Sequence, residues 1–259
     1  MARDADPFTS IMIGEPFDVP AEARRAVLSC LGSSTPVVND PPWGLISRAF
    51  PKPARVVAAG DMDLSGLEAM AAAIDPGRTV VGIGGGTAMD TAKFLAWKHG
   101  KPLIQVPTIT SVDAAFTDAI GVRQDQRVRY IAKVTPRLVV LDLPLIRSAP
   151  PHLNRAGVGD VLSCHTGLFD WKLASDAGHG HPWRADLAAL GSELLKGLEA
   201  AVGDIRDVSA DGVRFLAHAY RRIGAACAEA GHSRFEEGSE HFWAYAYEAQ
   251  TGVSQIHGE

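Results

Sequence analysis

Over the first 150 residues, short apolar runs rich in β-branched side chains alternate with stretches whose apolar residues recur at helical spacing. The runs are TSIMIG (9–14), TPVVN (35–39), ARVVAA (54–59), RTVVGIG (78–84), PLIQVP (102–107) and RLVVLD (137–142). Between the early ones lie PAEARRAVLSCL (20–31), DLSGLEAMAAAI (63–74) and GTAMDTAKFLAW (86–97). Strand alternating with helix admits few architectures: it predicts parallel strands joined by right-handed crossovers, a doubly wound α/β domain. RQDQRVRYIAKV (123–134), with charges alternating against Val128, Tyr130 and Ile131, predicts a solvent-facing strand or hairpin. From about residue 152 onward the periodicity is helical throughout, as in 161–175, 185–202 and 212–230. The Pro150–Pro151 pair marks the change, so the expected division is an α/β domain over 1–150 and an all-α domain over 151–259.

Within the α/β part, VVGIGGGTAMDTAKFLAW (80–97) runs from an apolar strand through three glycines straight into a helix. Glycine lets another group approach the main chain, and a helix N-terminus presents unpaired N–H groups with a partial positive charge. Gly84, Gly85 and Gly86 therefore suit an anion such as a phosphate. They also suit a tight strand-to-helix turn and nothing more.

Composition narrows the partners. With 46% apolar and 21% charged residues and a net charge of −5, the chain has an ordinary globular make-up. That charge argues against nucleic acid or an anionic membrane as partner. Three scattered cysteines without a CxxC pair point to a reducing compartment. No secretory signal and no bilayer-length apolar run is visible, so the expected location is cytoplasmic.

Four polar stretches could carry chemistry. AGVGD places Asp160 ahead of an apolar helix, EEGSEHFWAYAYE places His241 among aromatic residues, and TGVSQIHGE ends near His257. One carboxylate and two imidazoles form a ligand set for Zn²⁺ or Fe²⁺ with a position left open. By local pattern alone, Asp160 reads as a helix N-cap, His241 as a packed helix residue and His257 as a frayed terminus. PTITSVDAAFTD (107–118) follows the fifth run with hydroxyls at Thr108, Thr110 and Ser111 and a carboxylate at Asp113, suited to a cofactor, to a polyol, or to turns. His179 and His181, in SDAGHGHPW, read as an exposed loop rather than a metal site.

GIGGGTAMDTAK, PTITSVDA, AGVGDVLSCHTGLFDWKLA, GSEHFWAYAYE and TGVSQIHGE, in that order, resemble the metal-dependent (iron/zinc-type) alcohol dehydrogenase family. The branch they resemble is that of glycerol dehydrogenase and sn-glycerol-1-phosphate dehydrogenase. The resemblance implies a nucleotide-binding α/β domain followed by an all-α domain, as in dehydroquinate-synthase-like folds. It implies that Gly84, Gly85, Gly86 and Thr87 receive the pyrophosphate of a nicotinamide dinucleotide, and that Thr108, Ser111 and Thr117 line the cofactor. Asp160, His241 and His257 then become ligands of one divalent metal, zinc ahead of iron, and Asp113 binds substrate. Asp40, at the end of the second run, falls where the adenine ribose lies, which favours NAD over NADP; the alternative is a turn aspartate before Pro41.

The implied reaction is hydride transfer between NAD and a secondary alcohol of a small polyol or its phosphate, with Asp113, Asp160, His241 and His257 catalytic. Two departures qualify the match. Tyr245 stands where the glycerol-phosphate branch has a substrate-contacting histidine, and tyrosine brings no positive charge at neutral pH. The chain is also shorter than family members, so a homo-oligomer or a partner covering an exposed helical face is an expectation. The rival readings are a non-catalytic nucleotide-binding remnant and a sugar-phosphate cyclase of the dehydroquinate-synthase type.

Overall fold

A computed structural model describes residues 11–14, 34–47, 55–125, 127–253 and 257. The chain divides into two compact units, Met1–Ile109 with Ala114–Ala149, and Thr110–Asp113 with Pro150–Glu259. The helix expected over 20–31 lies outside the described residues.

The first unit is built on β1 (Ile11–Gly14), β2 (Ser34–Val38), β3 (Val57–Ala58), β4 (Thr79–Gly84), β5 (Leu103–Pro107) and β8 (Leu138–Asp142). They form one parallel six-stranded sheet in the order β1-β8-β5-β4-β2-β3. Among the described residues, the run expected to be a strand over 54–59 pairs only at Val57 and Ala58, at the sheet edge. Its helices are α1 (Pro42–Ile46), α2 (Leu64–Ala73), α3 (Gly86–His99) and α4 (Leu143–Ser148).

Alternation along the strands separates two cores. Val80 packs with Leu67 and Ala71 of α2 and with Ala92, Leu95 and Ala96 of α3. Val81 and Ile83 pack on the other side with Val38, Ile104, Val106 and Val140. Register pairs Val38 with Ile83 and Gly84 with Pro107, so Asn39, Gly85 and Thr108 leave neighbouring strand ends at one level. This is the edge at which open α/β sheets bind ligands.

The hairpin differs from its expectation. β6 (Ala119–Gln124) pairs antiparallel with β7 (Arg127–Lys133), beginning four residues earlier than the charged stretch suggested. β7 is the more exposed strand, with Ile131 and Ala132 packed on the α2–α3 core, against which Ile120 and Val122 of β6 are fully buried.

The second unit contains α5 (Pro151–Ala156), α6 (Val158–Asp176), α7 (Ala185–Arg206), α8 (Ala210–Ala230) and α9 (Ser239–Thr251), with no strand among the described residues. Ser209 caps α8 by accepting from Gly212 N–H, and Gly231 ends it in the left-handed conformation. Trp171, Tyr220 and Phe235 are its largest buried side chains. Apolar side chains also remain in solvent, notably Leu162, Phe169 and Leu173 on α6 and Phe242 and Trp243 on α9. His179 and His181 occupy an exposed loop, whose chain is tied down where Trp171 Nε1 donates to the His181 carbonyl at 2.9 Å. Among the described residues, no helix is long and apolar enough to cross a membrane.

Candidate functional site

In the helical unit, Asp160 sits in the first turn of α6, behind an N-cap that is Gly157 and carries no side-chain hydrogen bond. The capping role that its local pattern allowed is therefore not what it does. Its Oδ2 accepts the Asp113 backbone N–H at 2.7 Å, and its Oδ1 lies 3.0 Å from His257 Nε2. His241 occupies the first turn of α9 and is buried. Its Nδ1 lies 2.9 Å from Glu240 Oε1, and because a carboxylate only accepts, Nδ1–H is the donor and Nε2 is the ring nitrogen left to face a cation.

Ligand atoms of Asp160, His241 and His257 all lie within 4.8 Å of one another. That spacing, with two imidazoles, one carboxylate and a carboxylate behind His241, fits a divalent cation. Burial pulls the His257 pKa down, but the charge and hydrogen bond of Asp160 outweigh it and push it up to about 9. At neutral pH a proton thus does in part what a cation would do: it compensates the buried Asp160.

Sequence reasoning missed Glu236. It is buried on the turn before α9, hydrogen-bonds Asp113, and has a carboxyl oxygen within 4.8 Å of Asp113 and Asp160. Burial, then the Asp113 and Asp160 charges, raise its pKa well above the ordinary value. A hydrogen bond between two carboxyl groups requires a proton between them. Nothing local in the EE doublet marks one member as buried.

The segment carrying Asp113 is anchored from the helices. Thr110 N–H donates to Asn154 Oδ1 at 2.9 Å, and the buried Tyr220 hydroxyl lies 2.7 Å from the Thr110 carbonyl and 2.8 Å from that of Gly157. Ser111 is buried in the same segment, and the Tyr245 ring stands 6.0 Å from that of His241. Tyr220→Phe leaves two buried carbonyls without this donor and should cost about 1–3 kcal/mol. Chemical denaturation with an unchanged m-value would measure it.

In the α/β unit, the glycine turn meets the end of β4. Gly84 has φ +154°, and a Cβ there would collide with Asn39 and Ala88. At Gly85 a Cβ would meet only the flexible end of Ile109, at 2.9 Å. Gly85 N–H donates to Asn39 Oδ1 at 3.2 Å, a brace the sequence did not reveal because β2 and β4 become neighbours only in the sheet. Helix α3 begins at Gly86 with no side-chain cap, leaving first-turn N–H groups at half-buried Gly86 and exposed Thr87. Thr108 N–H donates to the Gly84 carbonyl, while its buried Oγ1 has no partner among the described residues. A bare turn, an uncapped helix start and an orphaned hydroxyl fit a bound anion. Asp40 lies exposed in the turn after β2. Thr117 is half-buried and accepts a hydrogen bond from Lys93 Nζ at 3.0 Å.

Residues 47–150 match the family model for iron-containing alcohol dehydrogenase. Among curated proteins the chain is similar to glycerol-1-phosphate dehydrogenase (NAD(P)+) of Hyperthermus butylicus, 32% identical over 245 residues, covering 88% of this chain and 67% of that one. It is also similar to the protein of that name from Pyrobaculum neutrophilum, 36% identical over 186 residues, covering 70% and 54%. Among solved structures, an iron-containing alcohol dehydrogenase from Corynebacterium glutamicum superposes with a TM-score of 0.70 at 18% identity, over 96% of this chain and 68% of that one. A probable glycerol dehydrogenase from Sinorhizobium meliloti gives 0.63 at 24%, over 78% and 60%. These structures share the fold, and the chain spans about half to two-thirds of the length of its curated relatives.

Proposed function

The chain belongs to the iron-containing alcohol dehydrogenase family, and from that premise we propose that it is a metal-dependent oxidoreductase moving a hydride between NAD and a secondary alcohol of a small polyol or polyol phosphate. The observation that carries the proposal is the mutual approach of Asp160, His241 and His257. A divalent cation held by these three would supply Lewis acidity toward an alcohol oxygen, and a nicotinamide dinucleotide would supply the hydride acceptor. We propose zinc, since the reaction asks the ion for Lewis acidity and not for redox change.

The chain's own residues do the positioning. Asp160 contributes one oxygen to the ligand set while the other fixes the Asp113 backbone, so ligand and substrate residue are set together. Asp113 orients a neighbouring hydroxyl of the substrate. Glu240 holds the His241 ring with Nε2 available. The glycine turn, first-turn N–H groups of α3 and Thr108 receive the dinucleotide phosphates, with Asp40 on the ribose hydroxyls and Ser111 and Thr117 as further contacts. Tyr245 favours the unphosphorylated alcohol, because it adds no cation beside the carboxylates of Asp113 and Asp160. Free Cys164 and Cys227 suit a reducing cytoplasm.

The test is NADH accumulation from NAD with a panel of polyols and their phosphates, with and without Zn²⁺. Zinc-dependent accumulation, faster per KM with the unphosphorylated compound, is expected. Turnover without net NADH would indicate a cyclase, and cofactor binding without turnover a remnant. Gly85→Ala fills the turn at little cost to the fold, because only the Ile109 tip must yield. It should weaken NADH binding about tenfold or more, about 1.4 kcal/mol, as read by NADH fluorescence.

A further inference from the structure

Lys93, on the third turn of α3, is fully buried. Its ammonium lies 3.0 Å from each of three acceptors: Asp90 Oδ1, the Ala119 carbonyl and Thr117 Oγ1. An ammonium has three N–H groups and no acceptor capacity. Carboxylate and carbonyl take two of them, so the third must go to the threonine oxygen. A hydroxyl that accepts from an ammonium has its single hydrogen left to donate elsewhere. Among the described residues nothing accepts that hydrogen, and Thr117 is half-exposed. Long helical side chains run back toward the helix N-terminus, and the Lys93 ammonium does so by one turn, to Asp90.

We propose that Lys93, held by Asp90, is a positioning residue that fixes Thr117 as an obligate donor to an acceptor oxygen of the bound dinucleotide. This rests on the dinucleotide reading of the same unit. The ammonium also polarises the hydroxyl it binds, which strengthens it as a donor. The competing role is purely structural: Lys93 neutralises Asp90 and ties α3 to β6. That role predicts a change in melting temperature and none in cofactor affinity.

The test measures the NADH dissociation constant by fluorescence, with thermal melting alongside, in the full chain. Thr117→Val keeps shape and removes the hydroxyl; NADH binding should weaken about tenfold, and the melting temperature should fall too, because the buried ammonium loses one of its three acceptors. Thr117→Ser should stay within about twofold of the parent chain. Lys93→Met should weaken binding as much as Thr117→Val, and the double variant no more than either, because both break one relay. Unchanged affinity in Thr117→Val, or additive losses in the double variant, would overturn the proposal. Should Lys93→Met fail to fold, the ¹⁵N-resolved NMR signal of the Lys93 ammonium decides. It must shift when NADH is added to the parent chain and stay still in Thr117→Val, and the opposite pattern overturns the relay. A parent chain that binds no NADH sinks the dinucleotide reading itself; binding that ignores Thr117 sinks only this inference.

Discussion

Asp160→Asn is expected to yield a folded chain that no longer retains metal. Asparagine keeps an acceptor oxygen for the Asp113 N–H, which Asp160 now receives at 2.7 Å, so the segment carrying Asp113 should stay in place. What disappears is the charge, and with it the oxygen facing His257 Nε2 at 3.0 Å. Replacing residues that merely support metal ligands commonly costs 10–100-fold in affinity, so loss of a ligand should exceed about 100-fold. Metal content after gel filtration, with circular dichroism as the fold control, reads both halves. Stoichiometric metal in the folded variant would falsify the ligand assignment.

The metal-stripped protein offers a companion readout. Burial works against charge on His257 and the Asp160 carboxylate reverses it, giving a pKa of about 9. Asp160→Asn should therefore lower that pKa, measured by NMR titration of the imidazole. The sign for stability follows: the raised pKa stabilises the metal-free fold fully below the ordinary value of 6.5 and loses that contribution as pH rises through about 9. In Asp160→Asn this pH dependence should vanish.

Gly157→Ala is expected to produce the largest loss of stability. The added Cβ would run into the Thr110 carbonyl and the Tyr220 hydroxyl. Neither can step aside cheaply. Thr110 is held through its N–H at 2.9 Å and its hydroxyl at 3.1 Å by Asn154 Oδ1, and Tyr220 is fully buried. Overpacking of this kind costs roughly 1–3 kcal/mol, and a broken buried hydrogen bond adds about 1 more. The displaced segment is the one that brings Asp113 to Asp160, so metal affinity should fall as well. Adding Tyr220→Phe removes one of the two colliding atoms and should recover part of the loss; a double variant as unstable as the sum of the singles would contradict the steric account.

The strand runs around 35–39, 78–84, 102–107 and 137–142 were legible because each is a local pattern of apolar, β-branched residues, and the sheet places β2, β4, β5 and β8 there. Asp160, His241 and His257 could be named from the order of their motifs, and the structure brings their ligand atoms together. Three residues of the site were not legible. Glu236 belongs to a doublet with the look of a surface, Asn39 braces a turn on a strand far along the chain, and Lys93 defies the expectation that lysine stays in water. Each takes its role from partners that no local window contains.

The period of each element, and hence the class of fold, could be read from the chain alone, because strand and helix patterns are written within a few neighbouring residues. Which charged and polar groups face one another is written in no local pattern: that Asp160 meets His257, that Glu236 hydrogen-bonds Asp113, and that Lys93 reaches Thr117 came from packing. A charge can stay buried only where distant segments supply its partners, and that supply is set by how the chain folds back on itself.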